Sequence, residues 1–244
     1  MITMRADDIL GQVVDELATA TDEASLVAIG RRAVRRLGFQ SFAYLSFAHP
    51  RSAFLSSYPE VWKGHYVRNG YERIDPVVVQ ARKSRTGFYW DGSRPSTPTS
   101  LAQRRLFREA SAFGINNGVT VPIHGGFGQL AAFTLAGEDR DPAFPRYASE
   151  ALDMLHLLGL YYHAHARAKL QLGLLNVDQS PLTQRELQCL VWIAKGKTMT
   201  EAAVLLRIST RTVRFHMDNA RAKLSASTIP HAVAEATRRG LIAV

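Results

Sequence analysis

Two capping boxes near the carboxyl terminus constrain this chain more than any other feature: Thr183 with Glu186, and Thr198 with Glu201. In each, a threonine hydroxyl and a glutamate three residues later satisfy backbone N–H groups that the start of a helix leaves open, so helices are expected at both places. The first carries Leu187, Leu190, Val191 and Ala194 at helical spacing and stops at Gly196, a residue suited to a left-handed C-cap. The second holds Ala202, Ala203, Leu205 and Leu206 and is only about two turns long. After a tight connection, Ser209 can cap a third helix running to about Leu224. A short helix, a sharp turn and a longer helix make the helix-turn-helix pattern.

On the third helix Val213, Ala220 and Leu224 form the apolar stripe, while Thr210, Arg211, Arg214, Asp218 and Arg221 project from roughly the other side. Arginine suits a DNA-facing surface because its planar fork donates two bonds to guanine O6 and N7 or to a phosphate. A solvated basic helix in an ordinary bundle is the bland alternative, and the paired capping boxes at helix-turn-helix spacing weigh against it. Charge agrees with double-stranded DNA as partner. Lys and Arg outnumber Asp and Glu by 30 to 21 over the chain, and residues 180–244 hold ten basic against four acidic side chains.

At 244 residues with 46% apolar content the chain is long enough for two packed domains. QLGLLNVDQSP breaks the periodicity of a long helix and ends in Ser-Pro just before the capping box, which sets a linker at 170–181 between domains at 1–169 and 182–244. No apolar run approaches a membrane span, the start MITMRADD lacks the apolar stretch of a signal peptide, and the single Cys189 excludes a disulfide within the chain. A cytoplasmic location is the expectation.

The first domain reads as α+β. Residues 7–20 and 22–37 look helical, FAYLSFA at 42–48 looks like a strand, and 59–71 and 76–84 look like short helices. VTVPIH, a GGFG turn and QLAAFTLAG make a hairpin signal, and one long helix is expected from Pro145 to about Arg167. This order implies an α-β-α sandwich, an antiparallel sheet flanked by helices, followed by the all-α helix-turn-helix domain. Leu152, Leu155, Gly159 and Tyr162 on the long helix serve either a dimer face or the domain core.

Between Tyr58 and Val77 the chain concentrates Trp62, Tyr66, Tyr71 and one carboxylate, Asp75, around two short helices. Such a cluster can make a ligand cage with one polar anchor. Read alone, the residues favour a plainer account: Asp75-Pro76 is the expected pair for an N-cap followed by proline in the first turn, and the rings are core.

The carboxyl-terminal pattern (LTxRE, WIAKGKT, ISTRTVRFH, Asn219, Lys223-Leu224, Ala232-Val233 and Gly240-Leu241-Ile242) resembles the DNA-binding domain of LuxR-type regulators. Ile229, where that family usually has arginine, and the acidic Asp218 depart from it. Tyr58, Trp62, Tyr66, Asp75-Pro76, Trp90 and Gly118 are similar to the acyl-homoserine-lactone-binding domain of quorum-sensing members. The resemblance implies that Trp62 donates to the lactone carbonyl, Asp75 accepts from the ligand amide and Tyr58 donates to the acyl carbonyl. It further implies that Tyr66 and Trp90 wall the ligand, that Thr134 offers a hydroxyl near the acyl carbonyl, and that Gly118 allows close packing of the sheet.

His163 and His165 point to different faces of a helix, HGGFG lacks the context of a phosphate loop, and there is no G-x-S-x-G elbow or His-rich metal motif. The chain therefore reads as no enzyme, with no cofactor or metal, and the resemblance implies an acyl-homoserine lactone as ligand. The resemblance implies a cytoplasmic homodimer that reads inverted repeats and works with RNA polymerase. Activation is the family precedent, with repression relieved by ligand as the minority form. A phosphorylation-driven response regulator and a ligand-independent module that sequesters other regulators are the rivals.

Overall fold

A computed structural model describes residues 6–47, 52–95, 99–125, 129–137, 152–170, 181–239 and 241–242. The body of the chain up to Leu172 forms one compact unit and residues 173–244 belong to a second.

The first unit opens with helices α1 (Ala6–Thr19) and α2 (Glu23–Arg36). Asp22 caps α2, accepting from the Ser25 N–H at 2.8 Å while Ser25 answers with its own hydroxyl. Among the described residues five strands follow: β1 (Ser41–Ser46), β2 (Ala53–Ser56), β3 (Phe88–Asp91), β4 (Asn117–His124) and β5 (Leu130–Gly137). They form one sheet in the order β2-β1-β5-β4-β3, with β1 antiparallel to both neighbours and β3 antiparallel to β4. The expected hairpin is therefore the β4–β5 pair.

Period-two alternation divides the sheet into two working faces. Phe42, Tyr44 and Phe133 point to one side, where Tyr162 of helix α6 (Leu152–Leu170) meets all three rings at centroid distances of 5.1–5.6 Å. Helix α2 lies on the same side, and it can approach because Gly30 has no Cβ: one placed there would run into the Phe42 ring. Ala43, Ala132 and Thr134 point to the other side, which is covered by α3 (Glu60–Arg68), α4 (Pro76–Lys83) and α5 (Leu101–Ser111). The expected α-β-α sandwich is the architecture observed, and the cavity described below lies under the second layer.

Among the described residues of this unit β2, β3 and α5 had no sequence expectation, and the helix expected over 59–71 ends at Arg68, with a separate 3-10 turn at Tyr71–Arg73. The long helix continues through Leu170, beyond the expected end near Arg167; its expected start, like most of the expected linker, lies outside the described residues. Its alternatives are now resolved. Leu155 and Tyr162 are fully buried, Gly159 packs against Phe133 and Val121, and the Tyr162 hydroxyl donates to the Leu26 carbonyl at 3.1 Å, so these residues belong to the core. The outward row of α6 is Leu157, Leu160 and Tyr161.

The second unit contains α7 (Gln184–Ala194), α8 (Met199–Leu206), α9 (Thr210–Lys223) and α10 (Ile229–Arg238). Both expected capping boxes are formed, and Ser209 caps α9 through the Thr212 N–H at 3.0 Å. Gly196 adopts φ +79° as the C-cap reading requires, and the turn between α8 and α9 passes through Arg207 at φ +53°. Met217 joins Val213, Ala220 and Leu224 in the buried stripe of α9. Leu205 faces outward instead, leaving Ala202 and Ala203 as the buried contribution of α8. Glu186 accepts from the Thr183 N–H at 2.7 Å and from Lys223 Nζ at 2.9 Å, so one nearly buried carboxylate both caps α7 and ties it to the end of α9.

Candidate ligand pocket and nucleic-acid interface

Asp75 shows how local sequence positions the pocket. Proline at the first position of α4 forces a helix start, and Asp75 caps it by accepting from the Val77 N–H through Oδ1 at 2.8 Å. That fixes Oδ2 toward α3, where the Tyr66 hydroxyl donates to it at 2.9 Å. The plain reading of Asp75 as an N-cap is thus correct, and it leaves the second carboxylate oxygen on the wall of a cavity. Burial pushes this carboxyl above its ordinary value, against hydrogen bonds from Tyr66, Val77 and Val78 that hold it down.

Tyr58, Trp62, Tyr66, Asp75, Trp90 and Thr134 all line one cavity beneath the sheet. The structure brings together every pocket residue expected from sequence. The remaining wall is apolar, with Leu106 and Phe107 from α5 and Ile115 among its members, and Phe107 stacks on Trp90 at 6.3 Å. Among the described residues neither the Trp62 indole N–H nor the Tyr58 hydroxyl has a hydrogen-bond partner. Burial and the Asp75 charge raise the Tyr58 hydroxyl, which stays protonated as a donor. The cavity therefore offers two open donors and a carboxylate oxygen inside an otherwise apolar lining, a set that suits an uncharged molecule with carbonyl acceptors and one N–H donor.

Gly118 occupies the structural role expected of it. It pairs with Trp90 across β3 and β4, and a Cβ there would strike the Leu135 carbonyl and come within 2.8 Å of the indole. The Trp90 N–H is not open to the cavity: it donates to Thr120 Oγ1 at 3.1 Å. Thr120, unnoticed in the sequence, sits beside Thr134, with the two hydroxyl oxygens 2.9 Å apart. Behind Trp62, Glu109 accepts from Tyr71 at 2.6 Å, Arg105 at 2.7 Å and His65 at 2.8 Å, and these donors hold its carboxyl down at about 2.

His163 and His165 are engaged separately. His163 Nδ1 lies 2.8 Å from the Tyr44 hydroxyl, which burial raises to about 12; His165 Nδ1 lies 2.9 Å from the Tyr161 carbonyl. Among the described residues no helix is long and apolar enough to cross a membrane.

On α9, Arg211, Arg214 and Asp218 are exposed, and Thr210 is half-buried at the first helical position. Arg221 is partly occupied by its neighbours: it pairs with Asp218 at 3.5 Å and donates to the Ser227 carbonyl at 3.1 Å. Between these groups Phe215 is 60% exposed, an apolar side chain on the outward face that sequence reasoning passed over.

Residues 22–166 match the family described as the autoinducer binding domain, and residues 180–236 match the luxR family of bacterial regulatory proteins. The chain is 34% identical to the transcriptional activator protein SolR of Ralstonia nicotianae over 92% of this chain and 94% of that protein. It is 31% identical to the transcriptional activator protein TraR of Agrobacterium vitis over 84% of this chain and 86% of that protein. In fold it is similar to a crystal structure of Escherichia coli SdiA, with a TM-score of 0.59 and 21% identity over 96% of this chain and 98% of that one. The match across 22–166 leaves the response-regulator alternative without support, because an autoinducer-binding domain stands where a receiver would be. By sequence and architecture together, the chain belongs to the luxR family of transcription regulators that carry an autoinducer-binding domain.

Proposed function

We propose that this protein is a cytoplasmic quorum-sensing transcription factor, without catalytic activity, that holds an acyl-homoserine lactone in the cavity beneath its sheet and binds DNA as a homodimer. The observation that carries the reading is the polar inventory of that cavity: open donors on Tyr58 and Trp62, beside an Asp75 carboxylate oxygen, in an apolar lining. An acyl-homoserine lactone complements it group for group. The ligand amide N–H donates to Asp75, the lactone carbonyl accepts from Trp62, and the acyl carbonyl accepts from Tyr58. Tyr66 holds Asp75 in place and with Trp90 walls the ligand.

Residues 1–169 act as the sensor, 170–181 as the linker and 182–244 as the DNA-binding domain. Arg211 and Arg214 supply the base-reading donors of α9, Thr210 and Arg221 approach the phosphates, and Asp218 orients Arg221. A single helix-turn-helix buries too little surface for tight specific binding, so two copies read an inverted repeat with half-sites about one helical turn apart. The outward apolar row Leu157, Leu160 and Tyr161 supports a second copy as partner on α6. Recruitment of RNA polymerase and activation on ligand binding complete the reading.

The test is mass spectrometry of the small molecule released on denaturing protein made in its native host. One acyl-homoserine lactone per protomer is the expected result. Release of no lactone, from cells shown to contain one, would contradict it.

A further inference from the structure

A short chain of hydrogen bonds beside the cavity has its direction fixed by the chemistry of its members. Trp90 Nε1 lies 3.1 Å from Thr120 Oγ1, and Thr120 Oγ1 lies 2.9 Å from Thr134 Oγ1. An indole N–H can only donate, so Thr120 accepts from Trp90. Thr120 is fully buried, and among the described residues the one other partner of its hydroxyl is Thr134. If Thr134 donated to Thr120, the Thr120 proton would be left in the core without an acceptor, which carries the full desolvation penalty. Thr120 therefore donates to Thr134. The Thr134 proton is then left with no acceptor among the described residues, on a residue that lines the cavity.

The backbone sets up this relay. Gly118 and Thr120 lie on the same face of β4, two residues apart, and the missing Cβ at Gly118 lets the Trp90 indole lie across the strand with its N–H at Thr120. A hydroxyl that already accepts a hydrogen bond is also a better donor, so the polarity passes along the chain.

We propose that Thr120 is a positioning residue for ligand recognition: it commits the Thr134 hydroxyl to donating into the cavity, so that the pocket selects a ligand with an oxygen acceptor against β5. Alone, a threonine hydroxyl could donate or accept; with Thr120 donating to it, Thr134 holds a proton that a ligand acceptor satisfies and a ligand donor leaves unpaired. This deepens the lactone reading and rests on it.

The experiment is calorimetric titration of the full chain. The probe is whichever of N-octanoyl-, N-isovaleryl- and N-benzoyl-homoserine lactone most raises the wild-type melting temperature. Thr134→Val and Thr120→Val are each expected to weaken binding about tenfold. The double variant should be no weaker than Thr134→Val alone, and Thr120→Ser should restore near-wild-type affinity because it keeps the hydroxyl. Should the core reject valine, Thr120→Ala against Thr120→Ser makes the same comparison without added methyl groups. Wild-type affinity in Thr120→Val, multiplied losses in the double variant, or no restoration by serine would each overturn the relay. If the wild-type chain binds none of the three lactones while its DNA binding is intact, the lactone reading falls and the proposal with it.

Discussion

Replacing Asp75 by asparagine separates its two duties, because each of its carboxylate oxygens has a different partner. Oδ1 caps α4 through the Val77 N–H, and asparagine caps about as well as aspartate, so this bond survives when the amide oxygen takes that position. The amide nitrogen then faces Tyr66, whose hydroxyl can turn to accept from it in place of donating. The ligand-free fold should therefore change by less than about 0.5 kcal/mol, a shift of no more than about 2 °C in melting temperature. Ligand binding is affected differently: the ligand amide N–H now meets a donor. A hydrogen bond to a charged acceptor contributes about 1.5–3 kcal/mol, so affinity should fall by roughly ten- to a hundredfold. Calorimetry gives the affinity and a melting curve gives the fold. Asp75→Ala is the comparator, since it also removes the cap and should lower the melting point of the free protein. Wild-type ligand affinity in Asp75→Asn would refute the assignment of Oδ2 to the ligand, as would an affinity loss matched by an equal loss of fold stability.

Because burial raises Asp75 above its ordinary 3.8, the ligand-free fold favours the protonated form; that contribution is complete below 3.8 and is lost as pH rises through the raised value. A ligand that donates to the carboxylate binds the ionised form, so its affinity should increase as pH rises through that raised value and then level off, as titrations at several pH values would show, with no such rise in Asp75→Asn. Glu109 behaves oppositely: its depressed carboxyl, about 2 against 4.5, stabilises the fold above pH 4.5 and loses that effect as pH falls toward 2, so Glu109→Gln should flatten the acid limb of the melting profile. Arg214→Ala should cost about 1–3 kcal/mol in operator binding and relax discrimination at one position of each half-site, whereas a phosphate contact would weaken all operator variants alike.

The helix-turn-helix was legible because its signals are local. Capping boxes, a C-cap glycine and a serine cap act within one turn of helix, and Thr183, Thr198, Gly196 and Ser209 all do in the structure what their spacing implies. Phe215 and Leu205 were harder, because an apolar residue on the outward face looks the same in sequence as one in the core. In the sensor, β2 and β3 are four residues each, too short for alternation to register. Helix α5 did carry a signal: Ser100 and Gln103 form a capping box, overlooked beside the Ser-Pro-Thr tract before it. The pocket was legible by resemblance, and Asp75 also through its proline neighbour. Thr120 had no sequence signal. Its partners lie 30 and 14 residues away; the expected hairpin brings β5 beside β4, but only the pairing of the unexpected strand β3 with β4 lays Trp90 over Gly118.

The central claim is that the cavity of this sensor is built for an acyl-homoserine lactone, and the melting curve of the purified chain against a panel of such lactones tests it most directly. A ligand that binds only the folded state stabilises it by RT ln(1 + [L]/Kd), roughly 4 kcal/mol at a thousandfold excess over Kd. For a domain of this size that corresponds to roughly 10 °C. At least one straight, branched or aromatic acyl chain should raise the sensor's transition by that order, and the rise should be largely lost in Asp75→Asn. A transition that no member of the panel moves would contradict the account.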